Sequence, residues 1–135
     1  MREPEVVRSE EEWRARLSPA QYEVLRRSAT EPAWSGELLH VDRDGVFRCA
    51  GCDAELFTTG AKFESGTGWP SFDRAAADGA IIETNDRNLF MVRTEITCAR
   101  CGGHLGHVFP DGPTETGRRY CVNSLSLEFE PGPPG

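Results

Sequence analysis

Apolar positions recur with a helical period over the first third of the chain and with a period of two beyond it. Ser9-x-x-Glu12 opens the first helical stretch as a capping box, in which each side chain can satisfy a backbone N–H of the first turn. Trp13 and Leu17 follow on one face. Ser18-Pro19-x-Gln21 marks a second start with proline at the first helical position, Tyr22 and Leu25 supply its apolar residues, and Arg26 and Arg27 suit the C-terminal end of the dipole. Both helices are expected to pack against a core, and Pro32 and Gly36 mark the exit from this region.

From Gly36 onward the pattern is that of strands. Phe90, Val92, Thr94 and Ile96 alternate with Leu89, Met91, Arg93 and Glu95, giving one largely apolar face and one mixed face. Ala80-Ile81-Ile82-Glu83 reads as a shorter strand, and Asp86-Arg87-Asn88 as a turn ahead of the long one. Near the end Leu125, Leu127 and Phe129 alternate with Ser124, Ser126 and Glu128. The pattern predicts a mainly β domain with short N-terminal helices. Its expected limits are an extension carrying a helix over 1–17, a single domain over 18–129 and a disordered tail over 130–135, where Pro131-Gly132-Pro133-Pro134-Gly135 offers nothing that packs.

Composition narrows the function classes. A chain of 135 residues suits one domain with its own core. A formal net charge of -7 disfavours phosphate backbones, whose affinity comes mostly from Lys and Arg displacing counterions, so no nucleic-acid partner is expected. No apolar run is long enough to span a bilayer, and Met1-Arg2-Glu3-Pro4-Glu5 lacks the apolar core of a signal peptide behind it, so the expected place is the cytoplasm, away from membranes. Five cysteines cannot pair completely, and a reducing compartment would not keep structural disulfides.

Four of the five form two copies of one device. Cys49-Ala50-Gly51-Cys52 and Cys98-Ala99-Arg100-Cys101-Gly102-Gly103 each place two thiolates on a tight turn, with glycine where the backbone bends toward sulfur. Cys49, Cys52, Cys98 and Cys101 together complete a tetrahedral zinc site, with iron as the substitute metal. The long separation of the pairs means that the metal ties two distant turns of a larger sheet. A thioredoxin-like redox centre would need a helix N-terminus in a βαβ unit, and that context is missing. A closed four-sulfur shell leaves no position for water, so this Zn2+ is expected to be structural.

Cys121 stands outside that scheme. Taken alone, an unpaired cysteine is a small apolar residue. In Arg118-Arg119-Tyr120-Cys121-Val122-Asn123-Ser124, however, cations precede the thiol and favour the thiolate. If the alternation at Leu125, Leu127 and Phe129 extends backward, Arg119, Cys121 and Asn123 share a face. Two of the three histidines, His104 and His107, lie within four residues in Gly103-His104-Leu105-Gly106-His107-Val108-Phe109-Pro110-Asp111 and are candidates for an acid or a hydrogen-bond donor; His40 is read as a structural or surface residue. In Ser65-Gly66-Thr67-Gly68-Trp69-Pro70-Ser71-Phe72 two glycines allow a tight loop that presents Trp69, whose face would suit a methyl-sulfur group if it lies near the thiol.

These segments, together with Arg93-Thr94-Glu95 and the continuation of the histidine stretch into Gly112-Pro113, resemble the type B methionine sulfoxide reductases from about Ser18 to Phe129. The resemblance implies two antiparallel sheets in a zinc-ribbon-related β fold with short N-terminal helices, zinc opposite the active site, and reduction of the R epimer, preferably in peptides. It also implies the roles. Cys121 is the nucleophile that ends as a sulfenic acid, His104 and His107 bond the sulfoxide oxygen or supply a proton, Trp69 holds the methyl group, and Phe109 belongs with it in binding substrate. Arg119, Asp111 and Asn123 organise the pocket. Many family members carry a resolving cysteine where this chain has Thr67. With the other cysteines committed to zinc, regeneration by thioredoxin or another external thiol is expected. The implied partners are oxidised proteins or peptides carrying methionine-R-sulfoxide, met by a monomer. The rival is a non-enzymatic zinc-stabilised β binding module, in which Trp69 and the histidines form a recognition pocket around an inert Cys121.

Overall fold

Two capping boxes set the N-terminal helices where the sequence places them. The computed structural model describes residues 5–41, 43–87 and 92–132. In α1 (Glu10–Arg16) Ser9 accepts from the Glu12 N–H while Glu12 accepts from the Ser9 N–H, and in α2 (Pro19–Arg27) Ser18 and Gln21 repeat the exchange. The second helix ends at Ser28, in a left-handed conformation.

The strands are β1 (Gly45–Cys49), β2 (Glu55–Thr58), β3 (Lys62–Phe63), β4 (Ser71–Phe72), β5 (Ile81–Arg87), β6 (Val92–Cys98), β7 (His104–Phe109), β8 (Arg119–Val122) and β9 (Leu127–Pro131). They form two antiparallel sheets, one ordered β2-β1-β9 and one ordered β3-β4-β8-β7-β6-β5. The mainly β architecture with two antiparallel sheets is therefore present. The expected strand positions Leu89, Phe90 and Met91, Asn88 of the expected turn, and the tail residues 133–135 lie outside the described residues.

Two expectations change. Asp86 and Arg87 continue β5 rather than turn, pairing with Arg93 and Val92. The C-terminal alternation is not one strand. A 3₁₀ turn at Ser124–Ser126 separates β8 from β9 and carries the chain from the large sheet to the small one. Beyond Phe129, Pro131 pairs with Gly45 and the Gly132 N–H donates to the Asp44 carbonyl at 2.8 Å.

The core lies where the sheets meet. Phe47, Leu56, Phe57, Phe72, Ile96, Leu105 and Val122 are fully buried, with Phe57 stacked on Phe72 at 4.2 Å and Phe47 edge-on to Phe72 at 5.0 Å. The helices cover the cysteine turns: Trp13 lies against Gly51, and at Gly103 a Cβ would come within 2.7 Å of Leu25.

Candidate active site and metal centre

The four paired cysteines converge. Their Sγ atoms lie within 4.8 Å of one another, and Cys49–Cys101 and Cys52–Cys98 are each 3.6 Å apart. Sulfurs at the usual ~2.3 Å from a tetrahedral zinc stand roughly 3.8 Å apart, so the geometry fits this ion. All four are buried, and four thiolates packed this closely need a cation to offset their repulsion. Cys49 ends β1 of the small sheet and Cys98 ends β6 of the large one, so an ion here would join the two.

The second centre is built on one rung of the large sheet. Ser71 on β4, Cys121 on β8, His107 on β7 and Glu95 on β6 are successive cross-strand partners. A shared rung of an antiparallel sheet puts their side chains on one face. The irregularity between Ile96 and Thr97 then breaks the alternation and allows His104 to join this face, its ring 5.7 Å from that of His107 and its Nδ1 2.6 Å from Glu95 Oε2. The carboxylate favours the tautomer with the proton on Nδ1. His104 Nε2 is then buried without a hydrogen-bond partner among the described residues.

A cavity of about 130 Å³ opens here, lined by Thr30, Trp69, Arg93, Gly106, His107, Phe109, Cys121, Val122 and Asn123. Five of the residues proposed from sequence therefore share one hollow: Cys121, His107, Trp69, Phe109 and Asn123. His104 stands behind it. Arg119 adjoins it, stacked on the Phe109 ring at 4.5 Å and forked onto Asp111 at 2.8 and 3.1 Å, which holds the Asp111 carboxyl below the usual carboxylate range. Asp111 is exposed and bears on the cavity through Arg119.

Asn123 reaches the cavity without the strand alternation expected for it, because the 3₁₀ turn begins at the next residue. Its amide is spent on the backbone, donating to the Leu105 carbonyl at 3.0 Å and accepting from the Glu31 N–H at 3.0 Å. It positions the loop and offers the cavity little hydrogen-bonding capacity.

The environment of Cys121 differs from the one its sequence neighbours suggest. Burial pushes the thiol up, opposed by the Arg119 charge and by the Thr67 hydroxyl, while Glu31 and Asp111 add to the rise. Arg118 turns away from the thiol to pair with Glu83 and the Tyr120 hydroxyl. Only one of the two neighbouring arginines serves the sulfur.

Glu31 was missed in the sequence because nothing around it has a motif's spacing. It is 3% exposed and touches three parts of the site. Its carbonyl accepts from Trp69 Nε1 at 2.9 Å, its N–H holds Asn123, and its Oε1 takes the Leu125 N–H at 2.9 Å. Arg93 and Glu95 sit in a segment the resemblance includes, but no role was drawn for them; the strand register brings both to the site.

Comparison with known proteins gives a consistent picture. The SelR domain matches residues 17–131. The chain is 55% identical over 130 residues to a peptide methionine sulfoxide reductase MsrB of Leifsonia xyli subsp. xyli, covering 96% of this chain and 94% of that protein. It is 56% identical over 126 residues to the protein of that name from Bradyrhizobium diazoefficiens (93% and 91% covered) and 51% over 130 residues to that from Methanosarcina barkeri (96% and 92%). Among solved structures, the crystal structure of a Mis18 'Yippee-like' domain superposes with a TM-score of 0.54 at 20% identity, over 68% of this chain and all of that one, a likeness of fold alone.

Proposed function

The chain belongs to the SelR domain family, the type B methionine sulfoxide reductases, and from that membership we propose that it reduces the R epimer of methionine sulfoxide in peptides to methionine at Cys121. It is an enzyme, and the binding-module reading falls away with that membership. The observation that carries the assignment of the site is the convergence of Cys121, His107, Trp69 and Phe109 on one hollow of side-chain size.

The thiolate of Cys121 attacks the sulfoxide sulfur. Oxygen passes to the cysteine and takes up a proton, so the substrate sulfur gains two electrons, methionine leaves, and Cys121 is left as the sulfenic acid. Trp69 and Phe109 give the methyl-bearing sulfur an apolar wall. In this reading His107, the cross-strand partner of Cys121 and a lining residue, protonates the oxygen, and His104, bonded to Glu95, supports it from behind. Arg119 aids formation of the thiolate.

Regeneration uses an external thiol. The Thr67 hydroxyl lies where many family members carry a resolving cysteine, and the other four cysteines are buried together in one cluster. One thiol condenses with the sulfenic acid, releasing water and leaving a mixed disulfide, and a second thiol frees Cys121. Thioredoxin suits both steps. Cys49, Cys52, Cys98 and Cys101 would hold one zinc, which supplies a structural tie and no reaction step. Thiols committed to metal and to a redox cycle suit a reducing cytoplasm. No helix among the described residues is long and apolar enough to cross a membrane. A monomer is the simplest working form, since one chain supplies every group used above.

The deciding experiment gives the purified protein a racemic methionine sulfoxide peptide with dithiothreitol and resolves the epimers by chiral chromatography, beside Cys121→Ser. Only the R epimer should disappear, and only with Cys121 present. Consumption of the S epimer, or turnover by the serine variant, would overturn the assignment.

A further inference from the structure

The reduction of methionine sulfoxide uses the Trp69 indole and leaves another one, close by, without work. Trp34 is 62% exposed, and its backbone is left-handed, with φ of 71°. For a bulky side chain that conformation is strained and persists only where the surroundings impose it. They do so here. The Trp34 N–H donates to the Gly68 carbonyl at 2.7 Å, and Ser35 returns to the Pro32 carbonyl through its N–H at 3.2 Å and its Oγ at 2.6 Å. Gly68, at φ 93°, lies so close that a Cβ there would meet Ala33 Cβ at 2.8 Å, Trp34 N at 2.9 Å and Trp34 Nε1 at 3.0 Å.

The glycine that seats Trp34 is flanked by two residues of the reaction site. The Thr67 hydroxyl lowers the Cys121 thiol and Trp69 lines the cavity. Thr30 lines the same cavity, and Glu31 receives Trp69 Nε1. The loop that presents Trp34 is thus stapled at both ends to the wall of the cavity. A volume of about 130 Å³ is well below the ~300–1,000 Å³ of ordinary ligand pockets and admits one side chain, so the rest of a peptide must lie across the rim.

We propose that Trp34 is the docking platform for the stretch of substrate polypeptide beside the oxidised methionine, binding an apolar or aromatic neighbouring side chain and so making peptides better substrates than the free amino acid. A rigid, exposed aromatic continuous with a binding cavity is the type of residue on which recognition energy concentrates. The contact is uncharged, so its contribution is insensitive to salt.

The inference rests on the reductase reading, and its test separates the two. Trp34→Ala, Trp34→Gly and Trp34→Phe are made in the full chain; glycine accepts the left-handed backbone, which guards against loss of folding. Each is assayed with dithiothreitol on N-acetyl-methionine-R-sulfoxide and on a pentapeptide with leucine and phenylalanine flanking the sulfoxide. For Ala and Gly, KM for the pentapeptide should rise about tenfold, as expected for losing an anchoring tryptophan, with kcat unchanged and the small substrate unaffected. Phenylalanine should restore most of the loss. Equal losses on both substrates, or none on either, would overturn the proposal. A defect seen only when thioredoxin replaces dithiothreitol would overturn it in favour of a docking surface for the reductant. An unmutated protein inactive on both substrates would remove the premise, and this inference with it.

Discussion

The reactivity of Cys121 is set by opposing effects that differ in origin. Burial raises the thiol, and the Arg119 charge and the Thr67 hydroxyl pull it back. A thiol held above its ordinary value is mostly protonated at neutral pH, and its thiolate population grows about tenfold for each pH unit below that value. Iodoacetamide labelling of Cys121, followed by mass spectrometry, should therefore accelerate steadily from pH 6 to 9. Arg119→Gln removes the main opposing charge and leaves Asp111 unneutralised, and both changes disfavour the thiolate. Labelling at pH 7 should slow by about tenfold. Labelling that is independent of pH, or faster in the variant, would contradict this balance. Cys121 and Arg119 were legible because adjacent residues of known chemistry stand out in a sequence. Glu31 was not, since its partners lie 38, 92 and 94 residues away in the chain and it reaches them largely through backbone atoms that any residue possesses.

Elements were legible where local chemistry decides them. Both capping boxes form as read, because Ser9 with Glu12 and Ser18 with Gln21 need only their own first turns. Alternation failed where both faces of a segment are covered. Leu56 and Phe57 are adjacent and both fully buried, so β2 shows no period of two. At Ser124–Ser126 polar residues mimic a solvent face yet lie inside, with Ser126 Oγ donating to the His104 carbonyl at 2.9 Å. The N-terminal segment gives an element-scale prediction. Arg8 donates to the Gly51 carbonyl at 2.5 Å, Arg26 to that of Cys101 at 3.0 Å, and both guanidiniums stack on Trp13, at 4.9 and 4.4 Å. The helix and the two arginines clamp both cysteine turns. Trp13→Ala should cost about 3–5 kcal/mol as a core truncation and speed zinc loss to a chromogenic chelator. An unchanged rate of release in a folded variant would show that the turns hold the metal without the clamp.

Across the whole molecule, the metal centre and the reaction centre meet through the sheets that carry them. β8 holds Cys121 in the large sheet, and the chain then passes through the 3₁₀ turn into β9, which pairs with β1 and sets Leu127 opposite Cys49 of the four-cysteine cluster. An ion bound by Cys49 and Cys98 at once fixes one sheet against the other, and with them the loop on which Glu31 arranges Trp69 and Asn123. Magnitudes decide the consequence of losing it. Structural zinc in small domains contributes roughly 10–16 kcal/mol of apparent binding free energy, whereas a whole domain is stable by only about 5–15 kcal/mol. The native state should not outlast the metal. Elemental analysis should find one zinc per chain, and prolonged chelation should abolish near-ultraviolet circular dichroism together with turnover of methionine sulfoxide. Restoring zinc under reducing conditions should return both. The two cysteine pairs carried this much of the architecture in their spacing alone, because a metal site needs only its ligands, but which strands they join is fixed by long-range pairing that no local pattern encodes. If the metal-free protein kept its thermal transition and its activity, the two sheets would be held by the Phe47, Phe57 and Phe72 core alone, and the cluster would have to be assigned another purpose.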